Sequence, residues 1–288
     1  MSKIAIITCS TSGLDYINGY EDVKKARTTI IINNKEYLDG LDIHPKQFYE
    51  QLDKLKEIPK TSQPSVGYLL EIYEQLKSEG YTDAIYISIS DYLSGTYQSV
   101  CLTTNIIEDF NVYPFNSKTA SFLTGFMAME AYRLANEGKS VKDILDYLSI
   151  LRDNDRIFLM VDDLKYLVRN GRLSNASAFI ASTLKIKPLL EIGENGKIVA
   201  KEKIRTTKKA LDRVIEKFLE ETNNGDNAQF IFLFNTDAEE NLNYTKKVLQ
   251  EKGINTSQLI DAPVSPAIGC HVGKGVVGIG YIKKVEAS

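Results

Sequence analysis

Four short stretches hold the residues whose types and spacing could do chemistry: TSQPS (61–65), ISISDYLSGT (87–96), LVRNGRLS (167–174) and VSPAIGCHVGKG (264–275). The first two offer hydroxyls and amides beside a helix start, with no formal positive charge. In ISISDYLSGT, an apolar strand runs into Ser94, Gly95 and Thr96, and Gly95 permits close approach of the backbone to a ligand. Hydroxyls and the free N–H groups of a first helical turn suit a carboxylate or a phosphate. In LVRNGRLS, Arg172 follows an Asn-Gly break and can meet an anion or an acidic partner, and KEKIRTTKK adds Lys203 and Arg205. In the last stretch, glycines at 269, 273 and 275 frame His271, which reads as a non-repetitive loop carrying one titratable side chain.

Several chemistries are excluded by the same residues. The glycine-rich stretch fails as a phosphate-binding P-loop on spacing, and a strand rather than a helix follows it. There is no GxGxxG after the first strand, so a dinucleotide cofactor is unsupported. Histidine occurs only at 44 and 271, and Cys9, Cys101 and Cys270 are scattered without metal-ligand spacing. The thiols fit the reduced state of a cytoplasmic protein. A serine hydrolase would use Ser94, Asp261 and His271 in nucleophile, acid, base order. The elbow glycine is missing, however: Tyr92 stands two residues before Ser94, and a glycine follows it at once.

The elements that must position these residues are those of an α/β protein. The chain has 288 residues, 43% hydrophobic and 25% charged, enough for one large or two modest domains with a substantial core. A formal net charge of −3 argues against nucleic acid as partner. No apolar run reaches the length of a membrane span, and KIAIIT is too short for a signal-peptide core.

KIAIIT, DAIYISIS, NVYPFNS and RIFLMV read as strands alternating with helices, which predicts a mainly parallel sheet with helices on both faces, closed by RIFLMV. TTIIINNKEYLD reads as a hairpin turning at Asn33-Asn34. Pro64 suits a first helical turn, with Thr61 to Gln63 as candidate caps for the amphipathic segment that follows. SGTYQSVCLTTNIIEDF reads as one helix. The second half reads as a second α/β layer with a mixed sheet, and the pattern changes near residues 155 to 165.

Taken together and in this order, STSGL, TSQPS, SISDYLSGTYQS, LKYLVRNGRLS and SPAIGCHVGKG resemble the DegV family, the fatty-acid-binding subunits of bacterial fatty-acid kinase. The resemblance implies two α/β domains with a lipid tunnel between them. Residues 1–160 would carry the carboxylate-binding loops and 161–288 would complete the acyl tunnel. It implies no catalytic residue, metal or cofactor, and a long-chain fatty acid as ligand. Thr61, Ser62, Ser94 and Gly95 would hold the carboxylate, with His271 and Arg172 at the head group. The bound acid would be presented to a separate ATP-dependent kinase subunit, and the acyl phosphate carried toward phospholipid synthesis. Arg172, Lys203 and Arg205 are the expected docking cations for that partner. Residues 175–187, apolar on one side and following the Asn-Gly break, read either as a core helix or as a lid that opens at a membrane surface. One departure stands out: the family has an Asp before the first serine, where this chain has Cys9.

Overall fold

The chain runs through β1 (Ile4–Cys9), β2 (Lys24–Ala26), β3 (Thr29–Ile32), β4 (Lys35–Leu38), α1 (Pro45–Leu52), β5 (Lys60–Ser62), α2 (Val66–Ser78), β6 (Asp83–Ser88), α3 (Thr96–Thr103), β7 (Asn111–Asn116), α4 (Phe122–Asn136) and α5 (Val141–Asp153). It continues through β8 (Asp155–Met160), α6 (Lys165–Arg169), α7 (Ala176–Ile180), β9 (Leu189–Ile192), β10 (Ile198–Glu202), α8 (Thr207–Thr222), β11 (Ala228–Asn235), α9 (Glu239–Glu251), β12 (Ile260–Ala262), α10 (Pro266–Val272) and β13 (Val277–Lys283). This computed structural model describes residues 3–180 and 186–284.

The first sheet has the order β2-β1-β6-β7, and every pairing in it is parallel, as the alternating pattern predicts. β6 is buried along its whole length, the mark of a parallel strand covered on both faces. A second, antiparallel sheet, β4-β3-β5, stands beside it. Its hairpin turns at Asn33 and Asn34, both at positive φ (49° and 62°), the geometry asparagine tolerates best. β5 pairs with β3 so that Thr61 lies opposite Ile30 and Ser62 opposite Thr29.

The third sheet is mixed, in the order β10-β9-β8-β13-β11-β12, with β11–β12 its parallel pair. RIFLMV, expected to close the first half, instead forms β8 inside this sheet, antiparallel to both β9 and β13. The change of sheet thus falls between Asp153 and Asp155. Strand propensity names a strand but not its neighbours, because those lie far along the chain. Gly278 and Gly280 let the rings of β11 lie across β13: an added Cβ would come within 2.2 Å of Phe234 and 2.0 Å of Phe232. The two large sheets share one apolar core. Phe126 of α4 stacks on Phe230 of β11 with ring centroids 3.8 Å apart, and Phe122 meets Phe232 edge-on at 5.6 Å.

Three local readings are corrected. Ser65, not a residue of 61–63, caps α2 by accepting from Tyr68 N–H at 3.2 Å, so Pro64 lies before the helix rather than in its first turn. α3 ends at Thr103 instead of running to Phe110, where the hydroxyls of Thr103 and Thr104 donate back to the carbonyls of Val100 and Cys101. VSPAIGCHVGKG is not a loop: Ser265 accepts from Ile268 N–H, Pro266 occupies the first position, and α10 follows. Of the expected lid, α7 is helical; residues 181–185, including Lys185, lie outside the described residues. Among the described residues, no helix is long and apolar enough to cross a membrane, and no cluster of acidic, His and Cys side chains could hold a metal ion.

Candidate functional site

A cavity of about 220 Å³ lies between the two large sheets. Ile157 and Leu159 of β8, Ile192 of β9, Ile198 of β10 and Phe234 of β11 form much of its wall. Its polar lining includes Thr61, Ser62, Gln63, Ser94, Gly95, Arg172 and His271. Every residue expected at the head group is therefore brought to one cavity.

β5 holds Thr61 from one side and α10 presents His271 from the other, with Thr61 Oγ1 2.7 Å from His271 Nε2. Asn170 fixes the end of α10 by donating to the Cys270 carbonyl at 2.9 Å. Gly171, at φ 68°, then turns the chain so that Arg172 enters the cavity. Arg172 donates through Nε to the Leu93 carbonyl at 3.2 Å and through Nη1 to the Asn170 carbonyl. Burial, and then the Arg172 charge, hold His271 down to a pKa of about 4, so the imidazole is neutral at neutral pH.

The neutral ring has one N–H to place. His271 Nδ1 is buried with no hydrogen-bond partner among the described residues. A buried orphan donor is rarer than an under-used acceptor, which favours the proton on Nε2. His271 then donates to Thr61 Oγ1, and the Thr61 hydroxyl proton is left to point at a ligand.

Ser94 Oγ accepts from Thr96 N–H at 3.3 Å and lies 2.8 Å from Thr96 Oγ1. The Gln63 side chain covers Gly95, where an added Cβ would come within 2.2 Å of Gln63 Oε1. Gln63 is held there by donating to Ser99 Oγ at 2.8 Å. The serine hydrolase arrangement does not assemble. Asp261 is exposed on β12 and pairs with Lys246, while His271 bonds to Thr61.

Lys203 and Arg205 do not line the cavity; both are exposed, with Lys203 Nζ 5.0 Å from the centre of the Phe179 ring. Cys9 is buried at the end of β1, 3.9 Å from Tyr86 Oη, and burial pushes its thiol pKa up. The carboxylate beside Ser10 comes from elsewhere: Ser10 Oγ donates to Asp39 Oδ2 at 2.8 Å, and Asp39 Oδ1 accepts from Ala267 N–H at 3.2 Å. Asp39 thus ties the β1 turn to the start of α10. It carries no local motif that would have singled it out. Thr11, Ser121 and Thr236 also line the cavity; Ser121 reads in the sequence only as the start of a helix.

What results is a set of uncharged donors and one guanidinium opening onto an apolar wall, which suits an amphiphile with a single anionic head. Comparison with known proteins agrees with that geometry. The DegV family profile, described as uncharacterised protein of the DegV family, matches residues 3–284. A DegV domain-containing protein of Clostridium acetobutylicum is 34% identical over 287 residues, 99% of this chain and 100% of that protein. The fold is also similar to a fatty acid binding DegV family protein from Streptococcus agalactiae. That match has a TM-score of 0.90 and 33% identity, covering 99% of this chain and 100% of the other. DegV of Bacillus subtilis, a fatty acid binding protein, matches with a TM-score of 0.86, 33% identity and the same coverage. This chain belongs to the DegV family.

Proposed function

We propose that this chain binds a long-chain fatty acid, with its carboxylate at Thr61, Ser94, Arg172 and His271 and its tail along the apolar wall. The observation that carries the reading is the joining of uncharged hydroxyl donors to an apolar lining in one cavity. Relatives described as fatty acid binding proteins support it. Burial of the tail supplies most of the affinity, at about 0.8 kcal/mol per methylene. The head-group contacts fix orientation. In this reading the protein is a carrier: it presents the carboxylate to a separate ATP-dependent kinase, and the exposed Lys203 and Arg205 meet that partner. It then carries the acyl phosphate, and exchanges ligand at a membrane surface.

Native mass spectrometry of the purified protein, followed by extraction and identification of the ligand, tests the first step. A long-chain fatty acid should be found at one per chain. A protein that emerges empty and has no affinity for oleate would overturn the reading. Incubating the loaded protein with ATP and a kinase subunit, and trapping acyl phosphate with hydroxylamine, tests the second step independently.

A further inference from the structure

Two hydroxyls on the cavity wall are buried and have nothing to bond. Ser121 Oγ and Thr11 Oγ1 both belong to residues lining the cavity, at 5% and 8% exposure, and neither has a hydrogen-bond partner among the described residues. Ser121 precedes α4 but does not cap it. Its backbone sits at φ 55°, ψ −139°, a conformation that glycine takes freely and side-chain-bearing residues rarely adopt. Such strain persists where the surroundings enforce it, and often where a ligand is held. Thr11 lies beside the Cys9 thiol and, against the larger effect of burial, helps to hold its pKa down, but Thr11 Oγ1 makes no hydrogen bond of ordinary geometry among the described residues. Thr11 belongs to the 3-10 turn Ser10–Ser12, against which α4 packs.

Among the described residues, no hydrogen bond joins these hydroxyls to Thr61, Ser94, Arg172 or His271. Among the described residues, the one formally charged side chain lining the cavity is Arg172. A group that satisfies Ser121 and Thr11 is therefore neutral. A hydroxyl both accepts and donates, so an alcohol oxygen on the ligand suits either of these groups.

We infer that Ser121 and Thr11 form a second polar contact point in the cavity, which selects a fatty acid bearing a hydroxyl group along its chain. The inference rests on the carrier reading and adds a ligand class to it.

The test is a titration of the delipidated protein with stearic acid and with monohydroxylated octadecanoic acids carrying the hydroxyl at successive positions. Wild type should bind one positional isomer about tenfold more tightly than stearic acid, the effect of one or two added hydrogen bonds. In the Thr11→Val, Ser121→Ala double variant, that preference should fall to within about twofold, with stearic acid binding unchanged or tighter. Ser121→Gly, which suits the backbone there, should repeat the loss at that position. Thermal unfolding of the variants should not fall, since no bond in the protein is removed. No preference in wild type, or a preference that survives the double variant, would overturn the inference while leaving the carrier reading intact. Equal losses for stearic and hydroxylated acids would also overturn it, by assigning these hydroxyls to the head group. Wild type that binds neither acid would overturn the carrier reading and this inference with it.

Discussion

Thr61→Val keeps the outline of the side chain and removes its hydroxyl, which makes it the sharpest probe of the head-group site. Thr61 Oγ1 is 2.7 Å from His271 Nε2, and the preferred tautomer leaves the hydroxyl proton for the ligand carboxylate. A hydrogen bond to a charged acceptor contributes about 1.5–3 kcal/mol. At about 1.4 kcal/mol per tenfold, oleate should bind roughly ten- to a hundredfold more weakly to the variant. The same substitution leaves the His271 Nε2–H buried and unpaired, which costs the ligand-free protein about 1–3 kcal/mol of stability. Thr61→Ser should restore both. Adding His271→Phe to Thr61→Val should recover part of the stability but none of the affinity, because the orphaned donor is gone while the carboxylate contact is still missing. Calorimetric titration of the delipidated protein reads the first effect, and denaturant unfolding without ligand reads the second. Oleate affinity of Thr61→Val within about twofold of wild type would refute the assignment, as would a Thr61→Ser protein no better than the valine variant.

Arg172 lines the cavity whereas Arg205 is exposed outside it, so Arg172→Glu should abolish oleate binding. Arg205→Glu should spare it, raising only the KM of the loaded chain in a coupled kinase assay, and less so at high salt; equal loss of both activities in both variants would refute the division. Ser65→Ala removes the cap of α2 and should cost about 1 kcal/mol of stability with fatty-acid affinity unchanged, checked by paired unfolding and titration. His271, at about 4 in the fold against 6.5, contributes stability that is complete above pH 6.5 and lost as pH falls toward 4; Asp39, pushed up by burial from 3.8 to about 6, contributes stability that is complete below 3.8 and lost as pH rises to 6. The slopes oppose between pH 4 and 6, so His271→Gln should leave stability falling with rising pH there and Asp39→Asn should leave it rising, and matching profiles in the two variants would sink the reasoning.

The candidate site was legible in the sequence as a set of residue types, and much less so as a set of contacts. Hydroxyls beside a proline, a glycine beside Ser94 and an arginine after Asn-Gly are local signals, and Thr61, Ser62, Ser94, Gly95 and Arg172 do reach the cavity. Their partners are not local. Thr61 and His271 are separated by 210 positions, and Asp39 and Ala267 by 228. No periodicity carries that information, because it depends on β5 pairing with β3 and on how α10 seats against both. The same limit explains β8, whose apolar run announces a strand without saying which sheet will take it.

The reading of α10 failed for a different reason, and the failure bears on function. Its glycines suggested a loop, yet Gly269 lies inside the helix, where an added Cβ would come within 2.7 Å of both Phe48 and Tyr49. That glycine serves close packing against α1, not a turn. Gly273, at φ 76° and ψ −165°, does end the helix, one turn later. A loop would leave His271 free to wander. The helix, packed on α1 and tied by Asn170 and Asp39, holds its ring against Thr61. Because the imidazole is neutral and, in the favoured tautomer, gives its Nε2–H to Thr61, it orients a donor without adding charge to the pocket. Among the described residues, Arg172 alone then supplies the positive charge, from the turn at Gly171. A carboxylate held in that way is oriented by neutral hydroxyls and attracted by one guanidinium, a weaker hold than a closed ion pair. That suits the proposed role, in which the ligand is handed on.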